Sequence, residues 1–476
     1  MNFATIEFGI FFAIVLALYF VLSHRWQNRM LLVASYVFYG WWDWRFCSLM
    51  LISSLVDYCC GLLVDRERHP ELSVRKRKLV LTASVVTNLT ILGFFKYFNF
   101  FGDSLAALAG EVGIRLDPPT WNIILPVGIS FYTFQSMSYT IDIYRGKLRA
   151  VTSLPDLMLY VSLFTQLVAG PIERGAHLMP QIIKPRNILP ERFSSGLQLA
   201  LVGLFKKVVI ADNMAVVVNS VYGAADPSGS AVLLATYAFA LQIYCDFAGY
   251  TDIARGTARM LGFDICLNFR LPYLAANPSD FWQRWHVSLS TWLRDYLYIP
   301  LGGNRHGNRK TVRNLMLTML LGGLWHGAAW NFVLWGAFHG LLLIIYRQFE
   351  NHRRSKSLTF ETRRDWRFWL SVVFFFHLTC LGWLLFRVEN MAQAGHLLSS
   401  LVSRPFFDPL SRPLLRMVAA AGIPLAIFEI YQYYRRAAEP WVNWAVGVRA
   451  GFYALLFYGI VIFGAPEISE FIYFQF

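Results

Sequence analysis

The most constraining feature of this sequence is a long uncharged stretch that nevertheless contains two histidines. No Asp, Glu, Lys or Arg occurs between Arg313 and Arg347, whereas His326 and His339 both lie within the stretch. An ionisable side chain in the hydrocarbon region of a bilayer is costly and usually marks a functional site. We therefore take His326 as a candidate functional residue. The alternative is a neutral histidine that only packs and forms a hydrogen bond with a neighbouring helix.

Basic residues on both sides of the stretch predict that it enters and leaves the membrane on the same side. Those that precede it are Arg305, Arg309, Lys310 and Arg313. A single straight helix of this length would reach about 50 Å at ~1.5 Å per residue, well beyond the ~30 Å hydrocarbon core. Natural positions for a break are Gly322, Gly323 and Gly327. We predict two helical limbs with His326 near the deep end.

The composition is that of a helical membrane protein. Of the 476 residues, 56% are hydrophobic and 15% are charged, and the mean hydropathy is +0.43, whereas soluble domains carry roughly 25% charged residues. The net charge of +14 comes from short basic clusters between apolar segments. We attribute it to positive-inside loops and contact with anionic membrane lipid rather than to nucleic-acid binding. The cysteines lack paired metal-ligand spacing and are expected to pack as small core residues.

Apolar segments recur with short connections along the whole chain, so we predict a single membrane domain over residues 1–476. Its parts would be N-terminal helices in 1–150, a core with the candidate site in 151–346 and C-terminal helices in 347–476. The first apolar segment is expected to be a retained helix, and residues 30–64 are expected to form two short membrane helices interrupted at residues 42–45. The expected fold class is an all-α polytopic integral membrane protein with about 10–12 membrane helices. Re-entrant and interfacial helices are also expected, because some segments are shorter than the ~20 residues that a simple span needs.

A second candidate histidine lies in an aromatic-rich segment just before the uncharged stretch. With ~100° per residue from Phe281 onwards, apolar and aromatic side chains occupy one helix face and polar side chains the other. His286 falls on the apolar face, where an unpaired polar group would cost several kcal/mol. We predict a continuous amphipathic helix over residues 281–297 that turns His286 inward. The alternative is an interfacial anchor without a chemical role.

A pair of histidines, His286 and His326, suits acid–base chemistry because the imidazole pKa lies near neutrality. A metal site is disfavoured because the sequence contains no HxxxH or HxxE pattern. A serine nucleophile is disfavoured because no GxSxG turn occurs. We therefore expect no metal and no bound cofactor. His339 would lie about 20 Å from His326 on a continuous helix, so we expect a structural or secondary role for it.

Seven motifs follow one another along nearly the whole chain. They are FFKYFNFF (94–101), LPVGISFYTFQSMSYTIDIYRG (125–146), AGPIER (169–174), YCDFAGYTDIARG (244–256), DFWQRWHVSLSTWLRDYLYIPLGGNR (280–305), LGGLWHGAAWNFVLWGAFHG (321–340) and FIYFQF (471–476). In this combination the chain resembles the membrane-bound O-acyltransferase family, in particular its bacterial alginate O-acetyltransferase branch. The resemblance implies peripheral helices around a thin central region with a funnel or tunnel. It also implies that His326 is the catalytic histidine and that His286 is the second polar position.

The same resemblance implies transfer of an acyl group from a cytoplasmic thioester, acetyl-CoA or an acylated carrier protein, to a hydroxyl. In the polysaccharide branch, SGNH-type periplasmic proteins would receive the acetyl group beside a polysaccharide synthase complex at the bacterial inner membrane. The expected function is O-acetylation of an exopolysaccharide such as alginate or cellulose. Two alternatives stay open: D-alanyl transfer to teichoic acid from a carrier-protein thioester, and a transporter or polymer exporter with a midplane histidine.

In the expected mechanism, His326 accepts the proton of the acceptor hydroxyl as that hydroxyl attacks the thioester carbonyl. His286 holds the substrate or donates a hydrogen bond to the developing oxyanion. Aromatic walls that exclude water would come from Trp282, Trp285, Trp325 and Trp330. Further candidate residues of the substrate path are Ser290, Arg294 and Asn331. An acetyl-histidine intermediate is the alternative to direct transfer.

Overall fold

A computed structural model of the chain describes residues 1–117, 121, 123–168, 170–355, 365–404, 408–409, 411–466 and 469–474. Within this part of the chain, every regular element is a helix. The chain divides into two compact units, Met1–Leu197 with Ala254–Cys266 and Gln198–Ile253 with Leu267–Phe476. The single domain with regions 1–150, 151–346 and 347–476 stays a prediction.

Seven helical stretches among the described residues are long and apolar enough to cross a membrane. They are His24–Val64, Val74–Glu111, Gly229–Met260, Trp330–Arg353, Trp366–Arg387, Ser411–Arg435 and Val446–Phe463. The all-α polytopic membrane class is therefore confirmed. These are the long stretches only: His24–Val64 contains two helices, Ile6–Val21 is a shorter apolar helix, and apolar segments such as 155–172 and 196–221 form short or interrupted helices. The central funnel stays a prediction.

The first unit contains the N-terminal helices. They are α1 (Ile6–Val21), α2 (His24–Asp43), α3 (Cys47–Val64), α4 (Val74–Glu111), α5 (Ile129–Tyr144), α6 (Leu154–Ser162), α7 (Phe164–Leu167), α8 (Gly175–Ile183) and the start of α9 (Pro190–Phe205). The break expected near residues 42–45 is present. The carboxylate of Asp43 accepts a hydrogen bond from the Arg45 backbone N–H at 3.0 Å, and a single 3₁₀ turn over Trp44–Phe46 leads into α3.

The second unit contains the two candidate histidines. After a π-helical turn at Lys206–Ala211 its helices are α10 (Asp212–Tyr222), α11 (Gly229–Met260), α12 (Pro278–Trp282), α13 (Val287–Leu293), α14 (Gly307–His326), α15 (Trp330–Ser355), α16 (Trp366–Arg387), α17 (Met391–Ser403), α18 (Ser411–Arg435) and α19 (Val446–Phe463). The last two turns of α11, residues 254–260, belong to the first unit. A 3₁₀ turn at Ile472–Phe474 lies near the end of the chain.

The uncharged stretch folds as the predicted two-limbed structure, with its break directly after His326. Glycines let the limbs approach closely. A Cβ at Gly323 would lie 2.2 Å from the Phe332 carbonyl oxygen, and one at Gly336 would lie 2.4 Å from that of Met319. Because position 319 faces 336 and position 323 faces 332, the two limbs are antiparallel. The depth of His326 in the membrane stays a prediction.

The aromatic segment before this hairpin is not a continuous helix, so the prediction of one amphipathic helix over residues 281–297 was wrong. It forms α12, α13 and a π-helical turn at Arg294–Tyr298. The break lies at His286, whose φ is +41°, a left-handed conformation that is uncommon outside glycine. Asn268 accepts hydrogen bonds from the Val287 N–H at 2.9 Å and the Ser288 N–H at 3.3 Å. These bonds satisfy backbone groups that a continuous helix would have paired internally.

Candidate active site

His326 ends α14 and is only 3% exposed. Four aromatic rings surround its imidazole, with centroid distances of 5.0 Å to Trp335, 5.2 Å to Trp325, 5.4 Å to Phe386 and 5.5 Å to Tyr473. Gly327 permits the sharp turn that follows, since a Cβ there would lie 2.1 Å from the Phe332 ring. The chain therefore holds this imidazole in an aromatic environment that excludes bulk water.

His286 is fully buried in the same unit. Its ring lies 4.7 Å from that of Phe247, in an edge-to-face arrangement. Burial lowers the pKa of His286 to about 3, so the imidazole is neutral at neutral pH. The inward orientation expected from the sequence is present, although a break in the helix produces it.

Two aromatic side chains join the histidines into one cluster. The ring centroid of Trp325 lies 5.8 Å from that of His286 and 5.2 Å from that of His326. The ring centroid of Tyr473 lies 6.4 Å from that of His286 and 5.5 Å from that of His326. Tyr473 was missed among the candidate site residues. The motif FIYFQF was the available signal, but it does not indicate what this tyrosine contacts.

Asn268 determines which ring nitrogen of His286 carries the proton. Its Oδ1 lies 3.2 Å from Nδ1 of His286 and also accepts hydrogen bonds from the backbone N–H and hydroxyl of Ser288. The backbone N–H is a fixed donor, so it assigns the oxygen of the amide to this side. Nδ1 must then carry the proton and donate to Asn268, which leaves a lone pair on Nε2 of the neutral ring.

Replacement of Asn268 by leucine should destabilise the protein and reduce its activity. The change keeps a similar volume but removes the acceptor for Nδ1 of His286 and for Ser288. Buried donors without an acceptor cost about 1–3 kcal/mol, so we expect a lower free energy of unfolding. Thermal denaturation in detergent, compared between the wild type and Asn268→Leu, measures it. An unchanged midpoint would show that Asn268 does not hold His286.

His339 lies in the second limb of the hairpin and has no exposed surface. Its ring stacks on Phe281 at 5.9 Å and contacts Trp282 at 5.3 Å and Trp335 at 4.7 Å. Among the described residues, neither ring nitrogen has a hydrogen-bond partner. Trp335 also contacts His326, so both His326 and His339 pack against the indole ring of Trp335. The structural or secondary role of His339 stays a prediction.

Trp282 and Trp285 extend the aromatic cluster away from the histidine pair. The ring of Trp282 lies 5.7 Å from that of Trp335, and fully buried Trp285 lies 4.7 Å from Trp383. Ser290 donates a hydrogen bond to the carbonyl oxygen of Trp285 at 3.0 Å. These three candidate residues therefore stabilise the walls of the cluster, and any contact with substrate stays a prediction.

The remaining candidate residues lie in different environments. Trp330 is 58% exposed at the start of α15, so it is not a wall of the buried cluster. Arg294 pairs with Asp295 at 2.8 Å on an exposed surface. Asn331 is buried and donates a hydrogen bond to the Val388 carbonyl oxygen at 2.8 Å. The expected substrate roles of Trp330 and Arg294 stay predictions, because an exposed Trp of a membrane helix can face lipid and Arg294 is already paired with Asp295.

One group of side chains in the first unit could hold a metal ion. Ligand atoms of Glu173, His177 and Cys266 all lie within 4.8 Å of one another. The buried carboxylate of Glu173 is already engaged by Nδ1 of His177 at 2.8 Å and by the Cys266 N–H at 2.5 Å. The hydrogen bond to Glu173 raises the pKa of His177. The ion pair between His177 and Glu173 and the hydrogen bond from the Cys266 N–H to Glu173 account for the group, and the absence of a metal stays a prediction.

Comparison with known proteins gives consistent similarities. The family model described as "MBOAT, membrane-bound O-acyltransferase family" matches residues 36–386. The chain is 38% identical to the "Probable alginate O-acetylase AlgI" of Pseudomonas putida over 98% of both chains. It is 33% identical to the "Peptidoglycan O-acetyltransferase" of Helicobacter pylori, over 81% of this chain and 76% of that protein. The "Teichoic acid D-alanyltransferase" of Bacillus subtilis is 28% identical, over 56% and 70% respectively.

The matched region contains both candidate histidines. It also contains α14 and α15, which form the hairpin that presents His326. With its long apolar helices, the chain therefore belongs to the membrane-bound O-acyltransferase family and is a multi-pass membrane acyltransferase.

Proposed function

We propose that this protein transfers an acetyl group from a cytoplasmic thioester across the membrane for O-acetylation of an exopolysaccharide such as alginate or cellulose. The observation that carries the proposal is the buried pair His286 and His326, which share contacts with Trp325 and Tyr473. The similarity to an alginate O-acetylase over 98% of both chains supports acetyl transfer to a polysaccharide. The more limited similarity to a D-alanyltransferase makes D-alanyl transfer the second candidate.

In the proposed reaction, His326 removes the proton from an acceptor hydroxyl as its oxygen attacks the thioester carbonyl. The new C–O bond forms, the C–S bond breaks, and the proton passes from the imidazole to the leaving thiolate. General-base assistance of this kind contributes typically about 10²–10⁴-fold in rate. The aromatic side chains around His326 protect the thioester from hydrolysis because they keep water away.

The hydrogen bonding of His286 favours one of its two expected roles. Because Nδ1 of His286 donates its proton to Asn268, the lone pair is on Nε2. Nε2 can therefore accept a hydrogen bond from a substrate hydroxyl. An oxyanion needs a donor instead. Trp335 offers one, since it contacts His326 and its buried indole N–H has no hydrogen-bond partner among the described residues. We therefore assign substrate positioning to His286 and oxyanion stabilisation to Trp335.

We propose acetyl-CoA or an acylated carrier protein as the donor, and we propose that the protein itself binds no cofactor. The proposed partners are SGNH-type periplasmic acetylation proteins and the polysaccharide synthase complex, in the inner membrane of a bacterium. Inside-out membrane vesicles supplied with acetyl-CoA labelled in the acetyl group test this directly. We expect the labelled acetyl group to enter the polymer as an ester that alkali releases. If labelled D-alanine from a carrier protein enters the polymer and labelled acetyl groups do not, the second candidate is favoured.

Replacement of Tyr473 by phenylalanine separates its hydroxyl from its ring. The ring contacts with both histidines remain, whereas any hydrogen bond of the hydroxyl in the site is lost. We expect acetyl transfer in the vesicle assay to fall about tenfold, the value of a single good hydrogen bond, at an unchanged protein level. Full activity of Tyr473→Phe would show that only the ring is needed.

A further inference from the structure

A buried ion network is hydrogen-bonded to the segment that contains Tyr473. Nζ of Lys207 lies 2.8 Å from Oδ1 of both Asp212 and Asp246, and all three side chains are at most 2% exposed. We call these three residues the Lys207 brace. A cation shared between two buried carboxylates is costly to desolvate, so it contributes little net stability by itself. Such a network therefore needs an explanation beyond stability.

The Lys207 brace binds the C-terminal segment, residues 469–474, through both backbone and side chain. Lys207 Nζ donates to the Ser469 carbonyl oxygen at 2.9 Å, and the Ser469 hydroxyl donates to Asp212 at 2.8 Å. The Ile472 N–H donates to Oδ2 of Asp246 at 2.7 Å. Each member of the brace thus makes one hydrogen bond to the segment.

These bonds lead directly to the histidine pair. Ile472 immediately precedes Tyr473, and its neighbour Phe471 is fully buried, with its ring 4.5 Å from that of Tyr250. The ring of Tyr473 contacts Phe247 at 4.7 Å, and Phe247 contacts His286 at the same distance. The brace therefore attaches the segment through polar contacts close to Tyr473.

We propose that Lys207, Asp212 and Asp246 are positioning residues for acyl transfer, which hold the C-terminal segment so that Tyr473 lies against His286 and His326. The brace touches neither the reacting atoms nor the histidines. It acts through three hydrogen bonds that fix the backbone on both sides of Phe471. This inference adds a role to residues outside the proposed site and rests on the proposed function only for its activity readout.

Hydrogen exchange of the purified full-length protein in detergent tests the attachment without any activity assay. In the wild type, the Ile472 amide is bonded to Asp246 and should exchange slowly. In Lys207→Met we expect exchange in the peptide that contains Ile472 to rise at least about tenfold, because local opening becomes easier. Lys206→Met is the matched control, since Lys206 pairs with Asp252 at 2.7 Å and is a direct neighbour in sequence. It should leave that peptide unchanged.

The activity readout separates positioning from general structural support. Lys207→Met should lower acetyl transfer about tenfold when Tyr473 is present and should have little further effect in the Tyr473→Ala background, which lacks the ring, because coupled residues are non-additive. A merely structural role would lower both rates equally. If Lys207→Met fails to accumulate, the triple variant Lys207→Met, Asp212→Asn and Asp246→Asn is used in the same assays. It removes all three charges together and so leaves no unpaired buried charge.

Two results would overturn the proposal. One is unchanged exchange of the Ile472 amide in the Lys207 variant. The other is faster exchange with full acetyl transfer, since the segment would then be attached by the brace without being positioned for the reaction. Failure of the proposed function is seen separately, as a wild type without acetyl transfer or a His326→Ala variant that retains it.

Discussion

Replacement of His326 by alanine should lower the rate of acetyl transfer by about 10²–10⁴-fold, the usual contribution of a general base. His326 ends α14 beside the hairpin turn and is surrounded by rings that exclude water. Without its imidazole, the hydroxyl that attacks the thioester has no base to accept its proton. Initial rates in membrane vesicles, normalised to the amount of protein, measure the loss.

His339→Ala is the control for this prediction. His339 is also a fully buried histidine of the hairpin, and it contacts the same Trp335 ring. A cavity at either histidine should disturb packing to a similar extent, so only a loss specific to His326 indicates chemistry. Equal losses in both variants would mean that His326 has a packing role.

Replacement of Gly336 by alanine should destabilise the hairpin and abolish activity with it. The new Cβ would lie 2.4 Å from the carbonyl oxygen of Met319, a backbone atom of the facing limb. The limbs would have to move apart, and overpacking of this kind costs about 1–3 kcal/mol or more. Because His326 lies at the end of one limb, its contacts with Tyr473 and Trp325 would also change. Thermal denaturation and the vesicle assay measure the two effects.

Gly93→Ala is the matched control, since a Cβ at Gly93 would meet no atom within 4 Å. Gly93 lies within helix α4, where alanine is favoured over glycine by up to about 1 kcal/mol. We therefore expect unchanged or slightly higher stability. If Gly336→Ala were as stable as Gly93→Ala, the close approach of the hairpin limbs would be incorrect.

Local sequence patterns were sufficient to predict the hairpin. The uncharged length, the basic flanks and the glycines around residue 323 are all properties of one contiguous stretch, and each has a direct physical consequence for helix length and packing. The inward position of His286 was also predicted, but from a helical wheel that assumes unbroken backbone geometry. Asn268, which lies outside the segment, accepts hydrogen bonds from the backbone N–H groups of residues 287 and 288. No pattern within residues 281–297 indicates these two hydrogen bonds.

The position of Tyr473 in the site could not be predicted from the sequence, because it depends on contacts between residues that are far apart in the chain. Tyr473 reaches the histidine pair because Lys207, Asp212 and Asp246 hold the backbone before it. Asp246 lies 226 positions from its partner Ile472. The exposed position of Trp330 has another cause. Next to a candidate catalytic histidine an aromatic residue suggests a site wall, but on a membrane helix the same residue is equally suited to an exposed, lipid-facing position.

The measurement that tests the central claim most directly is the O-acetyl content of the polymer made by a strain that lacks this gene. The strain is complemented with wild type, His326→Ala or His286→Ala at matched membrane levels, and both the amount of exported polymer and its O-acetyl and D-alanyl esters are determined. We predict normal export in all cases, with acetyl esters restored by the wild type and absent with His326→Ala. Full acetylation with His326→Ala would contradict the chemical role of His326, and loss of export together with acetylation would favour an exporter.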